Sequence, residues 1–353
     1  MTSSQADFAV VGSTPLARLL AGLLASAHGK TVLFLGESHA AYRLPQGIDL
    51  SLAPITRPET WFLLQSVVPE SLKLISRIGG RGTWSHIDPL LVAKGEEHRE
   101  ALAHVRQMAL GFGYEAEPVS RLPSGVSGEG VLLRDAVLLH RAALEAKLDQ
   151  WLTAQDVRKV PGSDGLVLHA DGSGEVSVEG TTLECNRVVL ADDQAVLQHL
   201  GAQLSPLLLR QQSSTVFTAG VERSRIPLML QLDTDLSILT QPGRGMVATG
   251  SGAILNVAER LRLLVPQQES FQPAGQSSFD TLAATDGAPA LGCPGDTGVD
   301  VLVGLGPTGA FLAPAIARWL CGSASSTEAA WFEARHLMRD TAASAVAEIG
   351  VQP

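Results

Sequence analysis

An α/β fold is predicted by three stretches of this sequence. Residues 8–11 form a short, continuous apolar run of the kind a strand buried on both faces needs, and it leads through Gly12-Ser13-Thr14-Pro15 into 16–27, an apolar segment of helical length. Gly29 and a second apolar run, 31–35, complete a strand–helix–strand unit of the size a parallel crossover requires. Near the other end, 300–304 reads as a strand entering Gly304-Leu305-Gly306-Pro307-Thr308-Gly309, with a helix over 310–320. Between these units, strand-like runs at 214–221, 227–232 and 236–240 suit an antiparallel sheet. The expected architecture is a discontinuous, Rossmann-like domain drawn from 1–75, 128–202 and 283–353. A smaller domain, from 76–127 and 203–282, is built on the antiparallel sheet.

The remaining elements follow from local pattern. Residues 69–79 and 96–111 have the length of short helices. Ala136, Leu139, Ala143, Leu144, Leu148 and Leu152 fall on one helical face, which predicts an amphipathic helix over 135–152. Alternation in 166–169 and 175–178 around Asp171-Gly172-Ser173-Gly174 predicts a hairpin. Residues 187–191 read as a buried strand and 194–200 as a short helix. A last helix is expected over 328–349, opened by a Ser325/Glu328 capping box and stopped by Gly350.

Composition narrows the function classes. At 45% hydrophobic and 18% charged over 353 residues, the chain is too apolar for disorder. A net charge of −10 without a clustered basic patch provides no field for nucleic acid or anionic lipid. Three cysteines, Cys185, Cys293 and Cys321, show no CxxC spacing, which argues against a zinc site or disulfide scaffold and for a reducing, cytoplasmic compartment. The apolar stretch 8–27 lacks the basic start of a secretion signal, since Asp7 precedes it and Pro15 and Arg18 interrupt it. The uncharged run 301–317 is broken by glycine and proline, so no membrane span is expected. No HExxH, Ser/His/Asp grouping or metal-like histidine set is present.

Chemistry is expected at the two glycine-bearing loops. A dinucleotide-binding loop places small residues at three spaced positions, so that helix amides face a pyrophosphate. Here these positions hold Gly12, Thr14 and Ala17, and Glu37 ends the second strand where an acidic group accepts hydrogen bonds from ribose hydroxyls. The alternative is a packed crossover with no nucleotide. In the second loop, Gly304, Gly306 and Gly309 leave the helix-start amides to point at an electron-rich partner such as a flavin's pyrimidine edge. The alternative there is a turn placed for packing alone.

These loops, with Asp286-Gly287-Ala288-Pro289-Ala290-Leu291-Gly292 and the continuation of the second loop through Ala310-Phe311-Leu312-Ala313-Pro314-Ala315-Ile316, make the sequence resemble the D-amino-acid oxidase superfamily. The resemblance implies a glutathione-reductase-type FAD domain with the cofactor held non-covalently. It assigns Gly12, Ser13, Thr14, Pro15, Leu16, Glu37 and Ser38 to the adenosine and pyrophosphate, with Arg43 against phosphate and Val157 at the adenine. It assigns Ala191 and Asp192 to the loop after strand 188–190, and Gly304, Leu305, Gly306, Pro307, Thr308, Gly309, Ala310 and Phe311 to the flavin.

The sequence departs from the family at three places. Thr14 replaces the second glycine of the phosphate loop, and Ala191-Asp192-Asp193 places carboxylates where small residues and glycine are usual. Asp280-Thr281-Leu282-Ala283-Ala284-Thr285 lacks the arginine with which many members hold a substrate carboxylate. Arg57 and Trp61 are candidates for facing the substrate, against the alternatives of an arginine paired with Glu59 and a core tryptophan. Arg244, on a turn, is the candidate replacement for the missing arginine.

The expected function is an FAD-dependent oxidoreductase dehydrogenating a C–N bond of an amine or amino-acid-like small molecule, by hydride transfer to the flavin. The missing arginine motivates one alternative, a flavin monooxygenase or protein-modifying flavoprotein whose substrate has no free carboxylate. Thr14 and Asp192-Asp193 motivate another, a non-catalytic scaffold that retains the fold.

Overall fold

The computed structural model describes residues 5–37, 43–123, 125–162, 165–178, 180–201, 205–219, 227–241, 245–263, 273–295, 297–340, 342 and 347–349. Its strands make two eight-stranded sheets and a two-stranded ribbon.

The first sheet is centred on Ala6–Val11, which pairs in parallel with Val32–Leu35 on one side and Thr181–Leu190 on the other. Arg158–Val160 extends it in parallel beyond Val32–Leu35, while Asp300–Val303 lies parallel to Thr181–Leu190 and antiparallel to Ala290–Gly292. The predicted hairpin forms from Leu166–Leu168 and Gly174–Val178 and attaches to Thr181–Leu190. The central strand is buried on both faces because successive side chains point opposite ways. Phe8 and Val10 enter one core, with Phe34, Leu20, Leu24 and Phe311. Ala9 and Val11 enter the other, with Leu33, Leu35, Val188, Val301 and Val303.

Helices Pro15–Ser26, Pro58–Gly79, Arg141–Ala154 and Gly309–Leu320 cover the first of these cores. Gly22 lets two of them approach closely, since a Cβ there would lie 2.2 Å from the Trp151 ring.

The second sheet runs in the order Pro273–Ala284, Leu208–Thr218, Gly245–Ser251, Leu236–Gln241, Leu228–Gln231, Leu90–Ala93, Glu129–Leu133, Ala116–Val119. All its pairings are antiparallel except that between Leu228–Gln231 and Leu90–Ala93. Val216, Leu236, Ile238, Met246 and Ala248 pack on Val257 and Leu261 of helix Ile254–Arg262. The alternate residues face the interior of the molecule. Glu129–Leu133 belongs to this sheet, so the division between the two sheets falls after Leu133 rather than at 128.

Two expected helices are shorter than their patterns. In 135–152, Ala136–Leu139 is a strand paired with Trp84–Ile87, and the helix begins at Arg141. Four consecutive buried apolar residues satisfy either period, and Asp135, at φ +58, turns the chain into the strand. The last helix opens with the expected Ser325/Glu328 capping box but ends at Glu333. Arg335 then turns inward to a buried ion pair with Glu348, which a continuous helix could not supply. Conversely, 69–79 is only the second half of Pro58–Gly79, whose buried stripe of Leu64, Val67, Ser71 and Ile75 runs past Pro69. Among the described residues, no helix is long and apolar enough to cross a membrane.

Candidate functional site

At the end of the central strand, Gly12 takes φ +149, a conformation side chains rarely adopt. Thr14 caps the following helix, its Oγ1 accepting from the Ala17 amide at 3.3 Å, and Pro15 occupies the first turn. The neighbouring crossover loop reaches across to it. Asp192 caps helix Asp193–Leu200 by accepting from the Ala195 amide at 2.9 Å, while its other oxygen accepts from the Ser13 amide at 2.6 Å.

Beneath this loop lies Arg18, only 1% exposed. Its guanidinium donates to the Ser13 carbonyl (2.7 Å), the Glu37 carbonyl (2.9 Å), Glu145 (2.7 Å) and Asp149 (3.1 Å), and sits 5.4 Å from the Phe34 ring centroid. Sequence reasoning gave Arg18 no role at the site. The signal was present as a lone charge inside an otherwise apolar helix.

At the other loop, Gly304 (φ +72) and Gly306 (φ +51) are left-handed, and a Cβ on Gly304 would lie 3.3 Å from Pro289 Cα. Helix Gly309–Leu320 follows with no side-chain cap and no acidic residue in its first turn. The Pro307 carbonyl accepts from the Leu50 amide at 2.8 Å, which fixes segment 48–54 beside the loop.

Both loops open on one cavity of about 1570 Å³. Ser13, Thr14, Pro15, Leu16, Arg43, Ala191 and Asp192 line one end, with Gly304, Leu305, Gly306, Pro307, Gly309 and Ala310 along another wall. The second sheet roofs it with Leu230, Leu239, Val247, Phe279, Ser213, Ser237, Thr249 and Thr281. The lining strand residues are uncharged apart from Asp280, which pairs with Arg210 at 2.5 Å.

Other residues singled out in the sequence lie off the cavity. Gly12 sits behind its loop against Asp192, Val157 is in the core, and Glu37 is exposed with Arg43 at 3.4 Å. Thr308 and Phe311 are fully buried and shape the second loop from behind, with Thr308 Oγ1 donating to the Leu305 carbonyl and Ser71 Oγ to that of Phe311. Trp61 is a core residue with no exposed surface, stacked on Phe112 and donating from Nε1 to the Ile55 carbonyl at 2.9 Å. Arg57 pairs with Glu348 at 3.4 Å, not with Glu59. Neither reaches the cavity lining, so the substrate-facing reading of this pair gives way to the packing one. Ser38 and Arg244 lie outside the described residues.

Charge in the cavity is heavily paired. Among the described residues, each lining arginine already has a carboxylate: Arg18 with Glu145 and Asp149, Arg43 with Glu37, Arg134 with Asp88 and Glu117, and Arg141 with Asp49. Burial pushes the Asp193 carboxyl up to about 7, against a lowering hydrogen bond from the Leu282 amide. Burial likewise pushes Asp235 up to about 7. No group of three or more potential metal ligands occurs among the described residues.

No protein-family model matches the chain, and no curated protein matches it in sequence. Solved structures do match. Glycine oxidase from Geobacillus kaustophilus aligns over 96% of this chain and 100% of its own, with a TM-score of 0.71 at 16% identity. L-proline dehydrogenase from P. horikoshii aligns over 93% and 96%, with a TM-score of 0.71 at 13% identity. The chain has the D-amino-acid oxidase fold. L-amino acid deaminase from Proteus vulgaris shares it over 96% of this chain and 97% of its own, with a TM-score of 0.70 at 15% identity. Within the D-amino-acid oxidase fold, the cavity between the first sheet and the roofing sheet is the candidate site.

Proposed function

We propose that the chain is an FAD-dependent oxidoreductase that dehydrogenates a C–N bond of an amine or amino-acid-like substrate. The observation that supports this reading best is the single cavity shared by the two glycine-bearing loops. Pockets for one small molecule span roughly 300–1,000 Å³. At about 1570 Å³, this one has room for a dinucleotide and a second molecule.

The residues present fit FAD at both ends. Helix Gly309–Leu320 starts in the cavity wall without a cap, so its first-turn amides and its dipole favour an electron-rich group. At the phosphate end, the Thr14 and Leu16 amides have no hydrogen-bond partner among the described residues and line the cavity.

Bound FAD supplies a hydride acceptor, and the protein orients the substrate and tunes the surroundings. Leu230, Leu239, Val247 and Phe279 exclude water from the roof, while the hydroxyls of Ser213, Ser237, Thr249 and Thr281 offer neutral hydrogen-bond partners. Asp193, with its raised pKa, holds a proton over part of the physiological range at the junction of the roof and the crossover loops. Residues 1–75, 128–202 and 283–353 are proposed as the cofactor-binding part, less strand Glu129–Leu133, with the rest forming the substrate part.

Purified protein is expected to be yellow, with a flavin band that bleaches anaerobically on addition of an amine or amino acid. A colourless protein that does not take up FAD overturns the reading. The pairing of the four lining arginines among the described residues favours a second reading, a flavoprotein whose substrate has no free carboxylate. Flavin reduction by NADPH would point to the monooxygenase form of that reading.

A further inference from the structure

We propose that the substrate carries a second, non-reacting cationic nitrogen, held by Asp235 together with the acceptor oxygens of Ser237 and Thr249. This rests on the FAD reading above and names its substrate class, an amine with a protonated nitrogen at its far end, as in an α,ω-diamine. Asp235 ends the turn Leu232–Thr234, at φ +43, and lines the cavity. Ser237 and Leu239 follow it on the cavity side, while Leu236 and Ile238 point into the core against helix Ile254–Arg262. Ser237 lies opposite Thr249 and Leu239 opposite Val247, so a row of oxygens next to Asp235 gives way to an apolar row. An ammonium group on an alkyl stem presents the matching sequence of surfaces.

The hydroxyls of the first row have their hydrogens engaged. Thr215 Oγ1 donates to the Pro45 carbonyl at 2.6 Å and so accepts, at 3.0 Å, from Thr249 Oγ1. Ser237 Oγ donates to the Thr249 carbonyl at 3.1 Å. Ser237 and Thr249 therefore turn lone pairs to the cavity, which suit an N–H donor and offer nothing to a carboxylate. Among the described residues, Asp235 makes no side-chain hydrogen bond or ion pair. Arg260, on the helix behind the sheet, is the charged group that acts on it, from beyond ion-pair distance, while its guanidinium donates to the Thr234 and Ser251 carbonyls at 2.9 and 3.2 Å. Asp233, in the same turn, accepts instead from the Lys94 and Gly95 amides.

Burial pushes the Asp235 carboxyl up to about 7, and a cation beside it favours the charged form again, so seating an ammonium expels the proton that Asp235 holds below neutral pH. The nitrogen whose C–N bond is oxidised needs its lone pair free as the neighbouring C–H leaves as hydride, so the protonated nitrogen at Asp235 is the other one. The test uses the FAD-loaded protein and calorimetry with α,ω-diamines of three to eight methylenes, each beside the n-alkylamine and the ω-amino acid of the same length. With the wild type, the best-fitting diamine should bind roughly ten-fold or more tightly than both counterparts, the scale of a hydrogen bond to a charged group. At about pH 6 it should also release more protons than the alkylamine, read from heats in buffers of different ionisation enthalpy. Asp235→Asn and Asp235→Gly both tolerate the left-handed backbone. In either variant the diamine preference and the extra proton release should vanish, and if neither variant folds, the two wild-type measurements decide.

A wild type that binds no diamine more tightly than its alkylamine overturns the proposal. A preference without the extra protons, or one that folded D235N keeps, places the cation elsewhere and overturns it too. In each of these cases a yellow protein that bleaches with an amine leaves the FAD reading standing. Folded protein that takes up no flavin overturns both.

Discussion

Glu348 and Arg335 meet in an ion pair closed to solvent on both sides, with the guanidinium donating at 2.8 and 2.6 Å to one carboxylate oxygen. Thr60 donates to the same oxygen and accepts from Trp331 Nε1 at 2.8 Å, and the Arg335 guanidinium lies 4.4 Å from the Trp331 ring centroid. The residues on either side of Glu348, Ala347 and Ile349, line the cavity, and a Cβ on Gly306 would lie 3.4 Å from the Ile349 side chain. The pair thus fastens the end of the described chain to the wall of the candidate site.

Glu348→Ala is expected to strand Arg335 without its counter-charge. Removing one partner of a buried pair costs about 3–5 kcal/mol. Denaturant unfolding should show a loss of that order, with FAD affinity falling as the strand bridge between Ile349 and Ile55 loosens. Glu348→Gln keeps an acceptor and should lose less. A loss below that of an ordinary surface substitution would show that the network is not closed in solution.

Gly304 and Gly306 differ in what a methyl group meets. Both have positive φ, for which a non-glycine residue pays roughly 1–2 kcal/mol. Gly304→Ala also drives its Cβ to 3.3 Å from the Pro289 backbone, whereas Gly306→Ala meets the Ile349 side chain at an ordinary 3.4 Å. Gly304→Ala should therefore lower the melting temperature and FAD affinity more than Gly306→Ala. The reverse order would mean that this loop is not held as described.

What the sequence disclosed is what local pattern encodes. The crossover at 8–35, the glycine loop at 304–309 and the Ser325/Glu328 cap depend on neighbours within a few residues, and each stands where the pattern placed it. The inward turn at Arg335 was hidden because its partner lies 13 residues on, in a stretch that reads as helix. Ala136–Leu139 was ambiguous because four apolar residues in a row carry no period, and its partner strand lies some 50 residues upstream. The sequence showed that carboxylates follow strand 188–190. That one of them turns back onto Ser13 is a fact of packing between two loops 179 residues apart.

Trp61 tests the distinction between core and site. It is fully buried, stacked at 5.9 Å on Phe112 and tilted at 5.4 Å against Tyr114. Trp61→Ala should destabilise by about 3–5 kcal/mol, as large-to-small aromatic substitutions in cores do. Trp61→Phe, which keeps ring packing and loses the bond to Ile55, should cost about 1–2 kcal/mol. Under conditions where it is fully folded, Trp61→Phe should leave flavin and substrate constants unchanged. A raised substrate KM without loss of stability would return Trp61 to the site.

The pH dependence of stability has a sign that follows from Asp193 and Asp235. Burial holds both carboxyls near 7 in the folded chain, against 3.8 as the ordinary value. Between about pH 4 and pH 7 the folded state therefore binds more protons than the unfolded one at these positions. Their contribution is fully present at the acid end of that window and is lost as pH rises through about 7. Asp193→Asn keeps an acceptor for the Leu282 amide and removes the titration. Relative to wild type, this variant should therefore gain melting temperature as pH rises from 5 to 8. The difference between the two curves isolates Asp193 from every other carboxylate. Asp192 raises the Asp193 pKa through its like charge, so D192N should move the Asp193 transition to lower pH. A wild-type-minus-D193N difference that is flat from pH 5 to 8 would show that Asp193 is ionised throughout and solvated in the cavity.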